Sequence, residues 1–194
     1  ASEAKHRFFV NRVDTATGKS AFDAQAAESD VAESGAFTLG DPSVQMLDFN
    51  GDGRADVLNA TSRTVLINAG GANAEGKPDW TSVDSMSAGG NLPSFADGTI
   101  RYIDFDADRR IDLITSTPAL TVVYRNDGMG GFTQAPGVQN IGWGFVEDNL
   151  ELEDMNGDGL ADAVLKSAGV VRYKLNLGRG RWTAEVRIEN LTLS

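Results

Sequence analysis

Three short stretches concentrate oxygen and negative charge at one spacing. They are "DFNGDGRAD" from Asp48 to Asp56, "DFDADRRID" from Asp104 to Asp112 and "DMNGDGLAD" from Asp154 to Asp162. Each follows D-x-[ND]-x-D-x-x-x-D. Positions one, three and five supply side-chain oxygens, position seven a backbone carbonyl, and position nine a further carboxylate. Such a set builds an oxygen cage for a hard cation. The expected ligands of the first loop are Asp48, Asn50, Asp52, the carbonyl of Arg54, and Asp56. Those of the second are Asp104, Asp106, Asp108, the carbonyl of Arg110, and Asp112. Those of the third are Asp154, Asn156, Asp158, the carbonyl of Leu160, and Asp162. Soft metals call for His or Cys, and the chain has one His and no Cys. Calcium, which takes about six to eight oxygens in flexible geometry, is the expected ion, with about two or three ions per chain. Its expected role is structural, pinning the turn between two strands.

An EF-hand loop begins in the same way but needs a bidentate Glu at position twelve and flanking helices. Here position twelve is Asn59, Thr115 or Leu165, and the runs that leave the loops are short and β-branched. The EF-hand reading fails. The competing reading is a set of solvated Asx turns that bind nothing. Glycines at positions four and six (Gly51, Gly53, Gly157, Gly159) permit left-handed backbone angles. The second loop has Ala107 and Arg109 there, so strain at Arg109 and weaker ion binding are expected.

The loops belong to a repeat. Asp48, Asp104 and Asp154 are spaced by 56 and then 50 residues. An apolar run comes after each loop ("DVLNA", "DLITS", "DAVLK"), then a second ending in Asn ("TVLIN", "TVVYRN", "VRYKLN"), then glycines and an aromatic at Trp80, Phe132 or Trp182. "RFFVN" and "GKSAF" repeat the second half of this pattern near the N-terminus, up to Phe22. Each unit therefore reads as four short strands: one before the acidic loop, one leaving it, one ending at the Asn, one holding the aromatic. Residues 22–34, Ala-rich and polar, read as a connecting loop or loose turns.

The expected fold is all-β, a β-propeller of four-stranded blades; a meander or sandwich with acidic turns is the competing architecture. The expected division is 1–43 (the C-terminal half of a blade plus a connection) and blades at 44–98, 99–147 and 148–194. That makes about three and a half blades, whereas a closed ring has about four to eight. The expectation is a part of a larger propeller, cut from a longer protein or completed by another chain. A four-bladed ring with a degenerate last blade is the alternative.

Composition narrows the function. The net charge of −11 leaves no basic stripe for nucleic acid. Ten of the Asp residues lie in the three loops, where a cation would offset them. No apolar run is long enough to span a bilayer, and "ASEAKHRFFV" lacks the pattern of a signal peptide. His6, the one His, stands beside Arg7 with no partner set for catalysis, and no base is placed to activate a Ser or Thr. No catalytic residue is assigned. The recurring aromatics could stack on sugars as in a lectin, or pack between blades. Trp143 and Phe145, in "NIGWGFVEDN", fall outside the repeat in a long connection, and are the expected contacts for a partner.

The three loops, each running into a short apolar strand, resemble the FG-GAP or VCBS repeats, the calcium-binding blades of integrin α-chain propellers and many bacterial surface proteins. The resemblance spans the chain from about residue 44 onward. The last unit, "LEDMNGDGLADAVLKSAGVVRYKLNLGRGRW", looks like the repeats of toxin-complex B subunits and related virulence-plasmid proteins, whose blades dock to a pore-forming partner. Its "VRYKLN" departs from the aromatic-Pro-Asn ending of that family. The resemblance implies a non-enzymatic, calcium-held scaffold for protein–protein contact, secreted or on a bacterial surface. A sugar-binding lectin, or an accessory module of a polysaccharide-degrading enzyme, is the alternative.

Overall fold

The computed structural model describes residues 5–8, 11–13, 16–22, 27–30, 38, 40–72, 78–83, 87–88, 92–93 and 98–189. Every regular element among them is a β-strand, and no helix is long and apolar enough to cross a membrane.

Near the N-terminus, β1 (Lys5–Phe8) pairs antiparallel with β4 (Ala27–Asp30), and β2 (Asn11–Val13) with β3 (Ser20–Phe22). The second pair sets Asn11 opposite Phe22, as Asn126 stands opposite Phe132 further along the chain. The strand β4 corrects the reading of residues 22–34 as loop or loose turns, because a ladder offered by β1 outweighs weak local preference; residues 23–26 and 31–34 of that stretch lie outside the described residues.

Three four-stranded antiparallel meanders come next. The first is β5 (Val44–Leu47), β6 (Asp56–Asn59), β7 (Thr64–Ala72) and β8 (Pro78–Val83). After it in the chain is β9 (Ser87–Ala88), then the second meander: β10 (Ile100–Ile103), β11 (Asp112–Ser116), β12 (Thr121–Asn126) and β13 (Gly131–Gln134). Strand β9 lies in the stretch expected to belong to the first unit, yet it pairs in parallel with β13 of the second sheet. The third is β14 (Glu151–Glu153), β15 (Asp162–Ser167), β16 (Val170–Lys174) and β17 (Val186–Glu189). In each, the last residue of the strand before the acidic loop pairs with the ninth-position Asp: Leu47 with Asp56, Ile103 with Asp112, Glu153 with Asp162. One register therefore recurs three times.

The fourth strand of the last unit departs from expectation. Trp182 makes only an isolated bridge to Asn176, and β17 begins at Val186. Thr183 explains the shift: its hydroxyl accepts the Leu175 N–H at 2.9 Å, and its own N–H donates to the Leu175 carbonyl at 2.9 Å. The side chain replaces one rung of the ladder, and pairing resumes at Tyr173 and Val186.

Strand alternation sends neighbouring side chains to opposite faces. Leu113 packs with Phe49, Leu58, Val65, Ile100 and Phe132, between the first and second sheets. Ile114 packs with Phe105, Val123, Ile141, Ala163, Leu165 and Trp182, between the second and third. The middle sheet is thus covered on both faces, which is why the adjacent Leu113 and Ile114 are both apolar and both buried. Two aromatic contacts mark the junctions. Phe49 meets Phe132 edge-on at 6.0 Å, and Phe105 meets Trp182 at 6.4 Å. Each joins the second residue of one acidic loop to the recurring aromatic of the next unit. The Asn126 amide also donates to the Phe49 carbonyl at 2.8 Å, tying the first loop to the second sheet. Four-stranded sheets stacked face to face in chain order are the blades of a β-propeller.

Candidate metal centre

Each acidic loop is wound around its first carboxylate. Asp48 Oδ1 accepts the N–H groups of Gly51 (2.9 Å) and Asp52 (3.0 Å), and its Oδ2 that of Gly53 (2.8 Å). Asp154 repeats this with Gly157 (2.7 Å), Asp158 (3.2 Å) and Gly159 (2.9 Å). Asp104 accepts from Asp108 (3.1 Å) and Arg109 (2.9 Å). Several N–H groups can converge on one carboxylate only if positions four and six take left-handed angles. Gly51 and Gly53 have φ of 80° and 84°, and Gly157 and Gly159 of 80° and 86°. Ala107 and Arg109 take the same path at 63° and 73° despite their Cβ atoms. The N–H bonds, Gly159 foremost, hold the Asp154 carboxyl below its usual range.

The fifth position closes the turn. Asp52, Asp108 and Asp158 each accept, through Oδ1, the N–H of the seventh residue: Arg54 (2.9 Å), Arg110 (2.9 Å) and Leu160 (2.8 Å). At position three, Asn50 and Asn156 donate their amides to Oδ2 of Asp52 and Asp158 at 3.1 and 2.8 Å. In the second loop position three is Asp106. One carboxylate oxygen from each of Asp104, Asp106 and Asp108 lies within 4.8 Å of the others. Asp106 Oδ1 is buried and has no hydrogen-bond partner. A buried, unsatisfied anionic oxygen is costly unless a cation or a donor meets it. Together with an all-oxygen donor set, it makes these residues fit a hard divalent cation, calcium above all.

The ninth-position carboxylates do something else as well. Asp56, Asp112 and Asp162 are buried. One oxygen of each accepts the N–H of the loop's second residue: Phe49 (2.9 Å), Phe105 (3.2 Å) or Met155 (2.9 Å). The other accepts the N–H of the Asn at the end of the third-strand run: Asn68 (2.8 Å), Asn126 (2.8 Å) or Asn176 (2.7 Å). They are clamps between the loop and the third strand, and Asp112 is not among the three converging carboxylates of its loop. The recurring Asp and Asn, twelve or fourteen residues apart, were the sequence signal for this clamp. Burial raises the Asp112 carboxyl to about 6, against the two N–H bonds that lower it; the charges of Asp106 and Asp108 push it further up. Asp56 is raised too, again chiefly by burial.

The partner role expected of Trp143 and Phe145 is corrected. Both are buried, 7% and 3% exposed, in the core between the second and third sheets. Lys174 Nζ lies 4.6 Å from the Trp143 ring and Arg172 5.6 Å, while Arg101 sits 4.6 Å over Phe145. Ser116 fixes this connection: its hydroxyl donates to the Trp143 carbonyl at 2.7 Å, and its carbonyl accepts the Phe145 N–H at 3.1 Å. A loop that packs its rings on basic stems is a piece of core, not a free surface. Phe132 and Trp182 are buried as well, which removes both from sugar stacking; Trp80 is half-buried against Val57 and Leu66, and the side chain of Phe22 lies outside the described residues.

Residues 104–165 match the FG-GAP-like repeat family. That span runs from the second acidic loop into β15. No curated protein matches the chain. Among solved structures, it is similar to an Agrocybe aegerita lectin that recognises non-reducing terminal N-acetylglucosamine, with 20% identity, a TM-score of 0.57, and cover of 94% of this chain and 46% of the lectin. It is also similar to the Photorhabdus luminescens Tc holotoxin pore, with 19% identity, a TM-score of 0.58, and cover of 95% of this chain and 8% of that one. The chain thus spans less than half the length of either, and at this identity the likeness is one of fold.

Proposed function

We infer that the chain is a non-enzymatic β-propeller interaction module whose loops are held by calcium, at about one ion per acidic loop. The observation that carries this reading is the meeting of Asp104, Asp106 and Asp108 around a buried Oδ1 of Asp106 that lacks a hydrogen-bond partner. The ligands are the side-chain oxygens of positions one, three and five in each loop and the carbonyls of Arg54, Arg110 and Leu160. Asp56, Asp112 and Asp162, whose two oxygens each accept a backbone N–H, stand beneath the cage as clamps on the third strand. Calcium at millimolar concentration outside the cell would keep such loops filled, which favours a secreted or surface location. The partner is a protein or further blades of the same assembly; the Tc holotoxin likeness supports this class of scaffold. Blades 44–98, 99–147 and 148–194 are the proposed units, preceded by a half unit.

The experiment is calcium titration by calorimetry, with thermal melts in calcium and in chelator. Two or three ions bound per chain, and a melting temperature raised by roughly 5 °C or more at saturating calcium, are expected. No heat of binding and unchanged melts would reduce the loops to Asx turns. The lectin likeness supports a second reading, a glycan-binding module. Burial of Phe132 and Trp182 between sheets weighs against their use as sugar platforms. A glycan array in calcium separates the two: saturable binding of one sugar class favours the lectin, and its absence favours the protein scaffold.

A further inference from the structure

The seventh position of each loop does the same steric job with different charge. Its side chain lies over the glycine two residues beyond the clamp Asn. A Cβ added at Gly70 would stand 2.8 Å from Arg54 Cδ, one at Gly128 would stand 3.1 Å from Arg110 Cδ, and one at Gly178 would stand 3.9 Å from Leu160 Cδ1. Arg54 uses this position to reach both sides of the gap: NH2 lies 2.6 Å from Asp52 Oδ2, and Nε donates to the Asn68 carbonyl at 2.8 Å. Arg110 does likewise, with NH2 2.6 Å from Asp108 Oδ2 and NH1 donating to the Asp127 carbonyl at 3.0 Å. Arg125 adds a second guanidinium to that loop, 3.3 Å from Asp106 Oδ2. Leu160 can do none of this. Among the described residues no basic side chain pairs with Asp154, Asp158 or Asp162.

The first loop therefore holds three carboxylates and one contacting guanidinium, and the second holds four and two. The third holds three carboxylates and none. Like charges crowded in one turn repel unless something of opposite sign stands among them. Resting on the calcium reading above, we propose that Arg54 and Arg110 are resident counter-ions. They hold the first and second loops in shape when calcium is absent, whereas the third loop, with Leu160, keeps its shape only when calcium is bound. The arginines also bind the fifth-position carboxylate that the ion needs, so the third loop takes calcium first as its concentration rises. The third loop is then a calcium-dependent element set beside two calcium-tolerant ones in the same stack.

Hydrogen exchange of the whole chain, in calcium and in chelator, tests this. The amides read are those of Gly157, Gly159 and Leu160 against those of Gly51, Gly53, Arg54, Asp108, Arg109 and Arg110. On chelation the third loop is expected to exchange about tenfold faster or more, and the first and second loops by no more than about threefold. Arg110→Leu should give the second loop the chelator response of the third. Leu160→Arg, which occupies the same place over Gly178, should blunt the response of the third. Because that variant adds a contact, it does not depend on a weakened protein staying folded. Equal chelator responses in all three wild-type loops, or a third loop unaltered by Leu160→Arg, would overturn the counter-ion proposal while leaving calcium binding in place. No calcium response in any loop, wild type or variant, would instead overturn the calcium reading, and the dependence of the third loop with it.

Discussion

The second and third units trace one backbone path with different residues. Residues 107 and 109 sit at φ of 63° and 73° as Ala and Arg, whereas residues 157 and 159 sit at 80° and 86° as Gly. Two guanidinium groups meet the carboxylates of the second loop, and none meets those of the third among the described residues. The faces directed away from the N-terminus differ as well. In the second unit, Ile103, Phe105, Ile114 and Val123 lie under the third sheet. The third unit has Glu153 and Met155 in place of Ile103 and Phe105, and Lys166 in place of the buried Ser116. What the two units share is the clamp: a buried carboxylate with one oxygen on the loop and one on the Asn that ends the third-strand run. The clamp and the register therefore set the path. The residues at positions four, six and seven vary around that path: Gly157, Gly159 and Leu160 in one loop, Ala107, Arg109 and Arg110 in the other.

The largest effect is accordingly expected at the clamp. Asp112→Ala and Asp162→Ala each strand two buried N–H donors. An unsatisfied buried donor costs about 1–3 kcal/mol, so each variant should lose about 2–6 kcal/mol in denaturant unfolding. Similar losses in the two units would confirm that the clamp, rather than the loop chemistry, is common to both. A loss at Asp162 no larger than that of a surface substitution, under about 0.5 kcal/mol, would break the comparison.

Most of this frame was legible before the structure, and the reason is local chemistry. Asp and Asn at alternate positions, with glycine between them, force a tight turn, and the β-branched runs after each loop have no helical period. The strand quartets and the stacking of Phe132 and Trp182 between sheets come from repetition at a fixed interval. What escaped lay in contacts that composition does not encode. Trp143 and Phe145 sit outside the repeat, and nothing local shows that Arg101, Arg172 and Lys174 will lie against them. The pairing of β9 with β13 joins segments with no shared pattern. The double duty of the ninth-position Asp could have been found, since an Asn stands at nearly constant distance after each one.

The middle-sized effect is in the backbone. Ala107→Gly removes a Cβ from a left-handed position and should raise stability by about 0.5–1 kcal/mol. The mirror change, Gly159→Ala, meets no atom within 4 Å of the new Cβ, so its cost is one of conformation alone. It should lower stability by a similar amount. Opposite signs from the two substitutions sharpen the view that both loops are held to one path. The same sign from both would mean that the second loop relaxes into a turn of its own.

The smallest effect distinguishes the two outward faces. Lys166 occupies the place that Ser116 has in the second unit, but it is exposed, with Nζ 2.6 Å from Glu151 Oε2 and 2.5 Å from Glu153 Oε1. The two hydrogen bonds hold the Lys166 amine above its usual range. Ion pairs in water contribute little, because solvent screens the attraction and long side chains lose freedom in forming it. Lys166→Met should therefore lower the melting temperature by less than about 3 °C, and by still less at high salt. The sign matters more than the size. Were this face pressed against an apolar neighbour, as the face of Ile103 and Ile114 is, three charges would be held out of water. Replacing the central one by a hydrocarbon side chain would then move the melting temperature by far more than a screened surface pair can, in either direction. A small, salt-sensitive loss means that water, or a polar surface, meets the third sheet where an apolar sheet meets the second.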